Sequence, residues 1–275
     1  MGASSPPYFR EQNYPSPVYH FPPPDHTAYS LIFSAMYLKE LCQAYNEKYR
    51  SESPEKVLAD LASVADNGLT FSSSFGLEDQ VITDMIFSAG LQVEIFTLDT
   101  GRLFPETYST LQATIERYGK PVKVYYPDTS MVEELVSLKG PLSFYESKEN
   151  RLECCHIRKV VPLGRALKGK KIWITGLRAG QSENRKNLSL FMWDEVYRLI
   201  KYNPLLNWSL RDVRDYIALH HVPYNPLHDR GFPSIGCQPC TRAVKEGEDF
   251  RAGRWWWENN SSKECGLHRT EKISE

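Results

Sequence analysis

Residues 67–90, NGLTFSSSFGLEDQVITDMIFSAG, decide the fold. A short apolar run runs into a Ser/Gly turn, after which Val81, Ile82, Met85 and Ile86 recur at the spacing of one helical face. The stretch therefore reads as strand, tight turn and helix. A helix entered through small residues presents unpaired backbone N–H groups at its positive end, so Ser72, Ser73, Ser74, Phe75 and Gly76 form a candidate anion-binding turn. Ser and Gly also build ordinary loops, so the turn alone is weak.

Downstream the unit repeats. VEIFTLDTGRLFPETY (93–108) predicts a strand through Leu98, then Asp99, Thr100 and Gly101, then a helix opened by Pro105 with Tyr108, Leu111, Ile115 and Tyr118 facing inward. VKVYYP (122–127) is a third strand, and Ser130 with Glu133 predicts a capping box on the next helix. ECCHIRKVVPLGRAL (153–167) reads as a further helix, and KKIWITGL (170–177) as a strand leading to Gly176, Leu177 and Arg178. Alternating strands and helices imply an α/β fold with a doubly wound, mostly parallel sheet, whose ligands bind beyond the carboxyl ends of the strands. That places Ser72–Gly76, Leu98, Asp99 and Thr100 on one rim and brings Arg158, Lys159 and Arg178 toward it. Each cation alone reads as solvated surface charge. Together, beside an anion turn, they fit a doubly charged substrate.

Upstream, a helix is expected from Leu31 to about Tyr49, and a second with Ser53 as N-cap, Pro54 at its first position and Val57, Leu58, Leu61 and Val64 on one face. Cys42 lies among apolar neighbours and reads as a buried structural thiol. Residues 1–30 form a Pro-rich extension, with seven prolines before Asp25 and no helical period. Beyond it lie a domain over 31–250 and a tail over 251–275. Thirty-three Lys and Arg against 34 Asp and Glu give no basic excess for nucleic acid, no apolar run suits a membrane, and no charged-then-apolar leader appears; a cytoplasmic chain is expected. Nothing opposes a homo-oligomer.

The stretch 188–202 is strand-like, Ser209 caps a helix carrying Val213, Tyr216 and Ile217, and VPYNPLHDRGFPSIG (222–236) is a Pro/Gly-rich run with little chemistry of its own. His156, His220, His221 and His228 lack metal-ligand spacing and read as structural or exposed, and Trp255, Trp256 and Trp257 as a packing anchor. Five cysteines remain beside these: Cys154 and Cys155 are adjacent, Cys237 and Cys240 form a Cys-x-x-Cys, and Cys265 stands apart in KECGLH. The simplest division is four ligands and one nucleophile. Stable disulfides are rare inside cells. Zinc favours paired knuckles closing on one small ion. Adjacent side chains diverge by ~100° on a helix, which suits a 4Fe-4S cluster whose corners each take one thiolate.

SSFGLEDQV, LDTGRLFPETY, ECCHIRK, TGLRAGQS, GCQPCTR, RAGRWWWE and KECGLH, in this order, resemble the iron-sulfur form of adenylyl-sulfate (APS) reductase within the PAPS/APS reductase family, over residues 67–268. The resemblance implies the adenine-nucleotide alpha-hydrolase (PP-loop) type of sheet with a mobile C-terminal tail that closes and opens. It implies that Cys154, Cys155, Cys237 and Cys240 ligate a 4Fe-4S cluster, that Cys265 is the nucleophile with His268 beside it, and that Lys159 is catalytic. Ser72–Gly76 would match the pyrophosphate loop, Leu98, Asp99 and Thr100 would receive the adenosine, and Arg178, Arg251 and Arg254 would face the phosphosulfate, with Arg158 and Arg242 completing the set. APS would be reduced to sulfite and AMP through an S-sulfocysteine, with thioredoxin as donor, in assimilatory sulfate reduction and cysteine biosynthesis. The loop SSSFGLED departs from that of ATP-using relatives in lacking paired glycines.

Two alternatives stand beside this reading. The substrate could be PAPS, or both nucleotides, although no additional basic cluster announces a 3′-phosphate site. An ATP-dependent iron-sulfur tRNA thiolase would share the fold, but the near-neutral charge and the missing glycine pair oppose it.

Overall fold

A computed structural model of the chain describes residues 28–182 and 185–258. Most of the Pro-rich extension, and the segment from 259 on with Cys265 and His268, lie outside the described residues. Six strands form one sheet: β1 (Leu69–Ser72), β2 (Glu94–Leu98), β3 (Lys123–Tyr125), β4 (Ile172–Ile174), β5 (Phe191–Asp194) and β6 (Leu199–Tyr202). Their order is β3-β2-β1-β4-β6-β5. All pairings are parallel except β5 against β6, which closes the edge as an antiparallel hairpin formed by the strand-like stretch 188–202.

The helices are α1 (Ala28–Lys48), α2 (Pro54–Val64), α3 (Leu77–Ser88), α4 (Pro105–Tyr118), α5 (Thr129–Lys139), α6 (Lys148–Cys155), α7 (Val161–Leu167) and α8 (Leu210–His220). Side chains alternate across the sheet, as strand geometry requires. Phe71, Ile95, Ile174, Ile200 and Tyr202 meet α1, α2, α3 and α8 on one face, while Phe96, Trp173 and Leu199 meet Leu163, Ala166 and Leu167 of α7 on the other. The sheet is thus wound on both sides. Strand order reverses between β1 and β4, and that is where an open parallel sheet leaves a crevice. Among the described residues, no helix is long and apolar enough to cross a membrane.

Several local expectations hold. Ser53 caps α2 by accepting from the Lys56 N–H at 3.3 Å, and Cys42 is buried, which pushes its thiol up to about 12. Others need correction. The cap of α5 is Asp128, which accepts from the N–H groups of Ser130 and Met131; the helix already begins at Thr129, so Ser130 lies inside its first turn and its hydroxyl donates to Asp128 at 2.6 Å. Tyr108 does not face inward: it is 40% exposed, and Thr107, Thr110 and Thr114 are the buried residues of α4. The helix expected over 153–167 is interrupted: residues His156–Val160 form a π turn, with the Val161 N–H donating to the His156 carbonyl, before α7 resumes. Such widened turns arise where side chains must be re-aimed, often at functional sites.

Residues 251–258, on the tail side of the expected boundary, pack into the body. Arg254 bridges Thr241, Trp255 is buried, and Arg151 holds Glu258 in an ion pair at 2.7 Å. Trp255 joins Phe144, Cys237 and Cys240 in a small apolar cluster, so it anchors as expected.

Candidate active site

The turn between β1 and α3 is built for an anion. Gly76 caps α3 without a side-chain hydrogen bond, leaving the first helical N–H groups for something else. The turn is held from behind: the Ser73 N–H reaches the Phe96 carbonyl at 2.8 Å, and the Ser74 N–H and hydroxyl both donate to Asp79 at 2.6 Å. Phe75 takes a left-handed conformation (φ 60°), which turns its ring into the core. Burial pushes the Asp79 carboxyl up to about 6, partly offset by the two Ser74 hydrogen bonds.

A pocket opens at this turn. Ser72, Ser73, Ser74 and Gly76 line one end, and Leu98, Leu163 and Trp173 give an apolar wall. Thr100 and Lys159 also line it, as the topology implied, and so do Arg251 and Arg254, which the resemblance alone had named. Arg254 is held by the Ser234 hydroxyl at 3.2 Å and lies against Gly236, where any Cβ would collide with the guanidinium.

Five expected substrate residues lie elsewhere. The Phe75 ring is in the core. Asp99 accepts from the Gly101 N–H at 2.8 Å and the Tyr108 hydroxyl at 3.0 Å, outside the pocket wall. Arg178 turns away, its Nε donating to Glu78 at 2.8 Å and its Nη1 to the Trp208 carbonyl. Arg242 forms a two-pronged pair with Glu248 and drags that carboxyl down to about 2. Arg158 faces the cysteines, donating to the Thr100 carbonyl at 2.7 Å.

The four cysteines do converge. Cys154 and Cys155 end α6, Cys237 and Cys240 flank a 3-10 turn, and all four line one small cavity with Arg102, Arg151, Arg158 and Lys159 around it. None is in a disulfide. Burial pushes the Cys240 thiol up to about 12 and raises Cys154. Burial also opposes ionisation of Cys237, yet Lys159, the Thr100 hydroxyl, Arg254 and Arg102 outweigh it and hold that thiol below its usual range. Among the described residues, no group of three or more His, Cys, Asp or Glu is arranged to hold a metal ion. Four thiols around a void, ringed by four cations, fit a polynuclear anionic group better than one small ion.

Sequence reading missed several wall residues. Glu78, Asp79 and Arg185 line the pocket, as do His228 and Pro233–Gly236 from the run read as chemically quiet. His228 is buried there, whereas His156, His220 and His221 are exposed. Its signal was position: the run ends directly in the Cys-x-x-Cys.

The phosphoadenosine phosphosulfate reductase domain model matches residues 68–243. Adenosine 5'-phosphosulfate reductase of Sinorhizobium fredii is 48% identical over 237 residues, 86% of this chain and 94% of the relative. The protein of that name from Allochromatium vinosum is 49% identical, covering 74% of this chain and 80% of its own. Among solved structures, phosphoadenylyl-sulfate (PAPS) reductase from Candida auris, a phosphate complex, matches with a TM-score of 0.64 at 30% identity, over 75% of this chain and 97% of that one.

Proposed function

Because this chain belongs to the phosphoadenosine phosphosulfate reductase family, we propose that it reduces APS to sulfite and AMP in sulfate assimilation. One observation carries the reading: Lys159 lines both the nucleotide pocket and the four-cysteine cavity, so a substrate site and a thiol-rich site share one cation.

The adenosine lies along Leu98, Leu163 and Trp173, and the phosphosulfate at the head of α3 beside Lys159, Arg251 and Arg254. The Cys265 thiolate attacks the sulfur of the sulfate group; an S–S bond forms, the S–O bond to phosphate breaks, and AMP leaves with that electron pair. As the leaving phosphate gains charge, Lys159 and the two arginines stabilise it, an interaction stronger in the transition state than before it. His268, close to the nucleophile in sequence, helps hold the thiolate form. A thiol of reduced thioredoxin then attacks the Cys265 sulfur, sulfite departs, and the second thioredoxin thiol frees Cys265, so the two electrons come from the dithiol.

Cys154, Cys155, Cys237 and Cys240 would hold a 4Fe-4S cluster. Bound there, it would supply a fixed charge and a structural tie beside the substrate site.

Mixing the purified protein with APS alone and taking its mass tests the reading. A sulfonate adduct on Cys265 is expected, and its absence from an iron-replete preparation would refute the proposed chemistry. Turnover with thioredoxin on APS and on PAPS separately fixes the nucleotide.

A further inference from the structure

We propose that His228 is a further substrate-binding residue, whose Nε2 meets an oxygen of the phosphosulfate group. The inference rests on the APS reading above. His228 lies in the turn Pro226–Arg230 that follows α8, is 9% exposed, and lines the nucleotide pocket. Its Nε2 is buried with no hydrogen-bond partner, while the ring is tied to the Phe232 backbone. A buried polar atom left unpaired is costly, and in a pocket wall a ligand atom accounts for it.

The location names the part of the ligand. The apolar wall of Leu98, Leu163 and Trp173 belongs to the α7 side of the sheet, where a base fits. His228 stands on the opposite side, near the heads of α3 and α4. Asn225, three residues before it, donates to Thr107 in the first turn of α4 at 3.1 Å, and Glu78 in the first turn of α3 acts on its ring. This is the end where the anion turn lies.

A neutral ring carries one hydrogen, and the tie to the Phe232 backbone, which favours the protonated ring, places it on the other nitrogen. A sulfate or phosphate oxygen brings no hydrogen of its own, so the contact requires the ring to take up a proton as the nucleotide binds. Burial holds the free ring below its ordinary range; Glu78 and Asp229 favour the charged form and Arg214 opposes it. Thr107 of α4 lines the same pocket, as do Asp79, Lys159, Arg185, Arg251 and Arg254, while Glu106 is turned to Arg230 at 2.8 Å. The incoming anion tips that balance toward imidazolium.

Titration calorimetry of APS into the iron-replete Cys265→Ser protein, where sulfur transfer is blocked, tests this in two buffers of different ionisation heat. Net proton uptake is expected, and the further change His228→Asn should remove most of it and weaken APS binding ~10-fold, the loss of one charge-assisted hydrogen bond. No uptake with His228 present, which needs no second variant to fold, would overturn the proposal. Equal uptake with His228→Asn or His228→Gln would overturn it too. If the Cys265→Ser protein failed to bind APS at all, the APS reading would fall and this inference with it.

Discussion

The hydroxyl of Thr100 lies 3.3 Å from the sulfur of Cys237, although the two are 137 residues apart in the chain. Thr100 also lines the nucleotide pocket, and its carbonyl accepts from Arg158. It is therefore a short link between the two sites, additional to Lys159. Thr100→Val keeps the shape and removes the hydroxyl. Iron content should be unchanged; AMP is expected to shift the visible absorption of the iron-replete protein, and in the variant that shift should disappear. A spectrum that still responds to AMP would show that the link runs elsewhere.

Lys159→Gln should lower kcat/KM by ~10²- to 10³-fold, the usual consequence of removing one fixed charge from a leaving group. AMP binding should fall far less. Equal losses in both would mean that Lys159 merely holds the nucleotide.

Cys237→Ser should lose most of its iron and its colour, since one of the four thiols lining the cavity is gone. Cys265→Ser should keep both and lose sulfite release. Retained iron in the first variant would disprove the ligand set.

Asp79 carries a pH signature. Its carboxyl is buried and pushed up to about 6, so the folded chain holds that proton more tightly than the unfolded one. The resulting stabilisation is complete below the unfolded carboxyl range near pH 4 and fades as pH rises through about 6. Between about pH 5 and pH 7 the group should cost ~1 kcal/mol of stability, and Asp79→Asn should remove that slope. Urea unfolding of both proteins across the window provides the comparison; parallel curves would contradict it.

Arg151 and Glu258 form a buried ion pair, with side chains 2% and 9% exposed. Arg151→Met leaves Glu258 buried and unmatched and should destabilise by ~3–5 kcal/mol, whereas changing both residues to Met should recover most of that loss. Thermal melts of the three proteins test it. A double variant as weak as the single one would assign Arg151 a different role, such as its contact with the Trp255 ring at 4.6 Å.

The fold was legible because its signals are local. The strand, turn and helix of 67–90 carry their own periodicity, and the second unit repeats it, so the parallel sheet and its rim followed. Ser72–Ser74, Gly76 and Lys159 were legible on that rim from topology, the set of four cysteines from spacing, and Arg251 and Arg254 only through the family motif RAGRWWWE. Arg178 and Arg242 were not placed, because each is captured by an acid: Glu78 lies 100 residues away, and Glu248 sits just outside the motif. A cation's sequence neighbours say little about which carboxylate reaches it first. Asp128 displaced Ser130 as a cap by two positions, a margin that propensity does not resolve. A lone imidazole among prolines and glycines has no spacing to read, and its place in the run before the Cys-x-x-Cys is its one signal in the sequence; the packing of its turn against α4 gives His228 a neighbourhood.

The widened turn at His156–Val160 separates the paired cysteines from α7. Deleting one residue there would restore a regular helix and improve its backbone bonding, yet it would rotate everything on one side by ~100° against the other. The sulfurs and the ammonium of Lys159 would then point in unrelated directions. Regularity and register are opposed at this spot, and an engineer who tidied the coil would gain a more regular helix and lose the cation that the two sites share.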